Sequence, residues 1–112
     1  MNPRSTPSAF SSVEVGPLTL KNRFIKAATN EGMSAQGVPS KQLVKLHSAL
    51  AAGGTALTTV AYCAVSSDGR TLPNQLILAQ SSVPHFKVLT DAVHQCGGLA
   101  SAQITHGGCF TF

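Results

Sequence analysis

The chain has 112 residues, 43% of them hydrophobic and only 11% charged, which excludes a disordered segment and limits it to one domain with one core. Eight Lys and Arg against four Asp and Glu give a net charge of +4, but the basic residues are scattered from Arg4 to Lys87 with no run and no interleaved aromatics, which argues against a nucleic-acid partner. No apolar run approaches the ~20 residues of a membrane-spanning helix.

Residues 1–12, rich in Ser, Thr and Pro, with one Arg and no acid, read as a disordered tail; a weak transit-type leader has the same composition, and no signal-peptide core is present. Residues 13–112 read as one α/β unit. Val13-Glu14-Val15 and Leu18-Thr19-Leu20 alternate around Gly16-Pro17, the pattern of a short hairpin placed to plug the bottom of a barrel. Phe24 to Ala28 is the first strand, and it runs into polar Thr29-Asn30-Glu31 before breaking at Gly32. Gly32 to Pro39 is expected to be a loop.

Ser40 is an N-cap, and Leu43, Leu46, His47 and Leu50 follow at i, i+3, i+4 and i+7, predicting a helix over 40–52 closed by Gly53-Gly54. Ala56 to Tyr62 is the second strand. Ser66 to Ser82 is a long connection in which Leu76-Ile77-Leu78 reads as a short extended piece. A second helix over 83–96 is capped by Ser82, carries Pro84 in its first turn, buries Phe86, Leu89, Val93 and Cys96, and ends at Gly97-Gly98. Leu99 to Ile104 is the third strand. Strands separated by helices pair in parallel with right-handed crossovers, and three such strands cannot close a barrel of eight. The expected fold class is therefore α/β, a hairpin plus the first three strands of a truncated (β/α)8 barrel.

All three strands deliver polar residues at their C-terminal ends, where α/β folds build their sites. Gln103 offers an acceptor and a donor together, the complement of a cyclic imide edge such as the pyrimidine ring of a flavin; a glutamine satisfied by backbone at a strand end is the structural alternative. Thr29 and Asn30 end the first strand and suit a flavin carbonyl, while Ala27 and Ala28 leave room for a flat ring; filling of barrel layers and turn capping are the alternatives. Glu31 is a candidate base, with an exposed loop carboxylate of no special role as the alternative, and His47 reads as a packed helix residue. His106 is a candidate acid, base or anion ligand. Cys63, Cys96 and Cys109 are odd in number and too far apart for a CxxC pair or a zinc set, so no metal is expected and the thiols read as reduced, which fits a cytoplasmic protein. No Walker loop, GxGxxG or Ser-His-Asp ordering is present.

Taken together, PLTLKNRFIKAATNEGM, AAGGTALTTVAYCAV with a following DGR, and DAVHQCGGLASAQITHGG resemble the N-terminal part of old yellow enzyme-type NADH:flavin oxidoreductases, in the family's order and spacing from about Phe10 to Gly108. The resemblance implies an FMN-binding TIM barrel that moves hydride from NADH or NADPH to flavin and on to an activated alkene. It places Ala27, Ala28 and Thr29 along the FMN ring, Asn30 where the family often has Thr or Cys near flavin O4 and N5, and Gln103 on the pyrimidine edge. Tyr62 stands where the family has a small residue that offers its backbone N–H, and Cys109 replaces the arginine of a His-x-Gly-Arg motif. The family's substrate-anchoring pair, proton-donating tyrosine and FMN phosphate site come from later strands, so no catalytic residue is assigned within these 112 residues and the chain alone is expected to be inactive. A non-catalytic fragment or interaction module with open edges, able to oligomerise, is the alternative.

Overall fold

The computed structural model describes residues 8–111, and the described chain starts with a turn. Ser11 N donates to Ser8 O (3.0 Å) and Arg23 N to Ala9 O (2.9 Å). The Arg23 guanidinium donates to Ser11 Oγ and Ser12 O, both at 3.2 Å, and the Phe10 ring tilts against Phe24 at 5.3 Å. Residues 8–12 are thus tied to the basic turn before the first strand, which corrects their reading as part of a disordered tail. The physical reason is the forked guanidinium, which finds two oxygens there. Residues 1–7 of that expected tail lie outside the described residues.

The elements follow as β1 (Val13–Val15), β2 (Leu18–Leu20), β3 (Ile25–Lys26), β4 (Ser34–Ala35), β5 (Val38–Pro39), α1 (Lys41–Ala52), β6 (Leu57–Ala64), β7 (Leu76–Ile77), α2 (Val83–Gln95) and β8 (Leu99–Thr105). β1 and β2 form the expected antiparallel hairpin, Val13 opposite Leu20, around Gly16 at φ +57°. The Gly32–Pro39 loop contains a second hairpin, β4 with β5, which turns through Gln36 and Gly37 at positive φ. Gly37 O accepts from Ile77 N at 2.9 Å, so this hairpin docks on β7.

The main sheet is parallel and centred on β6. Ile25 and Lys26 of β3 pair with Leu57 and Thr58, while β8 pairs along the opposite edge from Leu57↔Leu99 to Ala64↔Thr105. β7 pairs with Cys63 and Ala64 on the edge that β3 has left. The first strand is shorter than Phe24–Ala28, because only Ile25 and Lys26 join the ladder. Between Val60↔Ala102 and Cys63↔Ile104, two β6 residues, Ala61 and Tyr62, oppose the single Gln103, a bulge near the C-terminal rim.

Both helices cover one face of this sheet. Ser40 Oγ accepts from Leu43 N at 3.1 Å, the expected cap of α1. Ser82 does not cap α2: its hydroxyl accepts from Ala79 N (2.9 Å) and donates to Ala79 O (2.8 Å), closing the preceding turn instead. Pro84 starts α2 with no N–H to lose. Leu43, Ala51, Val60, Cys63, Leu76, Leu89 and Val93 form the core, with Phe86 and Cys96 packed against it. Gly98 is needed where β8 starts, since a Cβ there would lie 2.7 Å from Ala51 Cβ.

The other face and both outer edges are bare. Ile25 is 52% exposed on β3 and Ile104 65% exposed on β8, beside unpaired backbone groups that template association. The isolated 112-residue chain is therefore expected to sediment as concentration-dependent oligomers, and Ile104→Lys to shift it toward monomer. Sedimentation velocity checks this; a monomeric parent with a sharp cooperative thermal transition would contradict it.

Candidate functional site

β3, β6 and β8 run in parallel, so their C-terminal ends point to one end of the sheet: Gln103 and Tyr62 meet there across the ladder, and residues 27–30 follow the end of β3 without pairing. On β8 the side chains alternate: Ala100 packs into the core under the helices, and Ser101 turns to the opposite face, where its hydroxyl meets Thr59 Oγ1 at 2.8 Å. Gln103 therefore lies on that uncovered face, exposed, and directly across from the Ala61-Tyr62 bulge. Thr105 shares the face and accepts from Gln75 Nε2 at 3.1 Å, while Gln75 Oε1 accepts from Thr71 N at 2.8 Å. Buried Gln75 thus latches the long connection onto the end of β8; its single polar side chain in a turn-rich stretch gave no periodic signal for this.

At the end of β3, Ala27 and Thr29 are exposed and Ala28 and Asn30 are half-buried. Lys26 Nζ donates to Ala27 O (3.0 Å) and Thr29 Oγ1 (3.1 Å), which leaves the Thr29 hydroxyl proton free to be donated. The side-chain amides of Asn30 and Gln103 make no hydrogen bond among the described residues. Two rim amides with unused donors and acceptors suit a ligand edge that alternates N–H and C=O, so these residues fit the pyrimidine side of a flavin. Tyr62 is half-buried and stands across the ladder from Gln103 at the bulge.

His106 takes another role. Its Nδ1 accepts from Gly108 N at 2.9 Å, and its ring lies over Gly69, where a Cβ would come within 2.7 Å of Cδ2. Asp68, on the same loop, is held below the usual carboxylate range first by the Ser66 hydroxyl and only weakly by His106. Cys63, Cys96 and Cys109 are free thiols, and no metal-binding cluster occurs among the described residues.

Behind the sheet the structure overturns the reading of Glu31 as exposed. Its side chain is only 5% exposed, 2.8 Å from Lys26 Nζ and 3.4 Å from Nε2 of fully buried His47. His47 Nδ1 lies 2.6 Å from Thr58 Oγ1 on β6. The side chains of Lys26 and Thr58, opposite each other in the ladder, point to the helix side, and Glu31 folds back to join them. The sequence held a faint signal: a cation and an anion flank the first strand's polar end, and a histidine interrupts an apolar stripe. The carboxylate oxygens and His47 Nε2 are buried without well-aligned hydrogen bonds, so their contacts are electrostatic.

Burial drives the His47 pKa below 6.5, and Lys26 adds to this; Glu31 opposes it. Burial, helped by the Glu31 charge, pushes the Cys63 thiol up to about 11, so it stays protonated. With its folded pKa depressed, His47 binds fewer protons folded than unfolded, so its stabilising contribution is full above pH 6.5 and is lost as pH falls through the folded value. Urea midpoints followed by circular dichroism at low chain concentration are expected to fall below pH 6.5, and His47→Gln to flatten that slope; an unchanged slope would refute the assignment.

The NADH:flavin oxidoreductase / NADH oxidase family matches residues 8–111, and the chain belongs to that family. It is 49% identical over 108 residues to the 4,4'-dithiodibutanoate disulfide reductase of Rhodococcus erythropolis, covering 96% of this chain and 27% of that protein. It is 32% identical over 93 residues to the multifunctional alkene reductase/demethylase OYE of Caballeronia cordobensis, covering 81% and 14%. In fold it matches the old yellow enzyme of Pichia sp. AKU4542 with a TM-score of 0.81 at 20% identity over 88% of this chain and 26% of that one. Against morphinone reductase the values are 0.84 and 24%, over 96% and 28%. The chain thus spans 14% to 28% of the length of these proteins, and its architecture is the opening portion of their barrel.

Proposed function

We propose that this chain supplies the pyrimidine-side half of an FMN site in an NAD(P)H-dependent oxidoreductase. The observation that carries the reading is the pair of rim amides, Asn30 and Gln103, each without a hydrogen bond among the described residues. The chemistry that FMN supplies when bound is hydride acceptance from NADH or NADPH and hydride delivery to an acceptor. Gln103 binds and orients the imide edge, matching one N–H and one carbonyl. Asn30, with the free proton of Thr29, stabilises negative charge at the ring's carbonyl side, which favours the electron-rich form. Ala27 and Ala28 leave the ring room against the backbone, and Tyr62, across the bulge from Gln103, closes one side of the mouth. An activated alkene is the proposed acceptor. The 49% identity to a disulfide reductase favours a disulfide as a second reading. Free thiols at all three cysteines fit a reducing, cytoplasmic setting.

Binding energy decides what this chain does alone. One amide–imide pair contributes about 0.5–1.5 kcal/mol net, far short of the several kcal/mol that association costs. Barrels of this kind hold the phosphate after strands seven and eight. The isolated chain is therefore expected to purify colourless and without NAD(P)H oxidation. Grafted in place of the matching segment of the Rhodococcus reductase, it is expected to yield a yellow protein. There Gln103→Ala weakens FMN retention about 2- to 10-fold, as loss of one such pair implies, and Asn30→Ala shifts the flavin potential more than the affinity. A graft that folds but stays colourless would instead support the non-catalytic module, and colour retained by the short chain through dialysis would show that more of the site lies within it.

A further inference from the structure

Only Ile25 and Lys26 of the first strand belong to the ladder, so the segment that carries Asn30 leaves the sheet before the rim. What holds it is side-chain chemistry. Lys26 Nζ reaches back to Ala27 O and Thr29 Oγ1 and pairs with Glu31, and Glu31 in turn faces His47 on α1, which is bound to Thr58 on β6. A carboxylate 5% exposed and an imidazole fully buried carry a desolvation cost that apolar residues of similar volume would not, and the helix packing does not require either polar head. A neutral imidazole protonated on Nε2 is suited to this bridge, because Nδ1 is then free to accept the Thr58 hydroxyl while Nε2–H, 3.4 Å from Glu31 Oε1, makes an electrostatic contact with the carboxylate.

We propose that Glu31 and His47 are positioning residues: their buried carboxylate–imidazole contact anchors residues 27–31 to α1 and β6 and so aims Asn30 at the mouth. The anchoring stands on this structure alone, whereas its effect on a flavin rests on the FMN reading above.

The test uses the graft, carrying His47→Leu, Glu31→Ala, and the conservative His47→Gln, whose amide can still accept from Thr58 and donate to Glu31. In the flavin-free protein, nitrogen-15 order parameters at residues 29–32 are expected to fall from the rigid range of about 0.85 to below about 0.6 in His47→Leu and Glu31→Ala, and to return to the parent values in His47→Gln. The nitrogen-15 spectrum of the parent is expected to show His47 protonated on Nε2. In the FMN-loaded graft, His47→Leu is expected to shift the flavin potential in the direction of Asn30→Ala and to add nothing further in the double variant. Order parameters unchanged in His47→Leu, a proton on Nδ1, or additive potential shifts would overturn the proposal. If the leucine and alanine variants fail to fold, parent-like order parameters in His47→Gln and the Nε2 tautomer of the parent, together with lowered order parameters in Glu31→Gln, sustain it, and parent-like order parameters in Glu31→Gln overturn it. A graft that binds no flavin defeats the FMN reading, while order parameters and the parent tautomer still decide the anchoring.

Discussion

Parallel pairing on both edges of β6 is the constraint on which the rest of the molecule depends. This strand receives β3 and then β7 on one edge and β8 along the other. Its helix-side residues Thr58, Val60 and Cys63 are all buried against α1 and α2. Parallel strands need a crossover between them, and a helix is the compact solution. With β6 central, β3 and β8 point the same way, so the polar residues at their C-terminal ends, Asn30 and Gln103, are directed to one end of the sheet by topology rather than by nearness in sequence.

The bulge in β6 gives the rim its particular shape. Two residues opposite one turn the strand locally and set Tyr62 across from Gln103. The same rim is closed on its β8 side by Gln75, which joins the long connection to Thr105, and by the Gly69–His106 stack. A loop that would otherwise be free is thus fixed to the end of the strand bearing the candidate glutamine.

Polar contacts behind the sheet complement this framework where the ladder stops. Lys26, Glu31, His47 and Thr58 link β3, the segment after it, α1 and β6 through four side chains. Their geometry places charge inside the helix layer, which costs desolvation, and the position gained is that of a stretch without strand hydrogen bonds. Residues 27–31 are thus contacted from the helix side, while Ala27 and Thr29 stay exposed.

Much of this was legible in the sequence. Period and punctuation gave both helices, because Leu43, His47, Leu89 and Val93 repeat at helical spacing between glycine stops, and the β–α–β order implied parallel pairing. The three ordered blocks carried the family, and Gln103 and Asn30 were marked by polar chemistry at strand ends. What the sequence by itself determined was thus local: which segments are helix or strand, which faces are apolar, and which polar groups stand at the ends. Only the tertiary structure decided how long β3 pairs, that Arg23 gathers residues 8–12, that Ser82 serves Ala79 rather than α2, and that Glu31 is buried. Each of these depends on groups brought together from distant points in the chain, such as Lys26 and Thr58 across a ladder or His47 beneath a loop sixteen residues earlier. Burial and pairing at such sites are properties of the packed neighbours, and no periodicity in one segment encodes them.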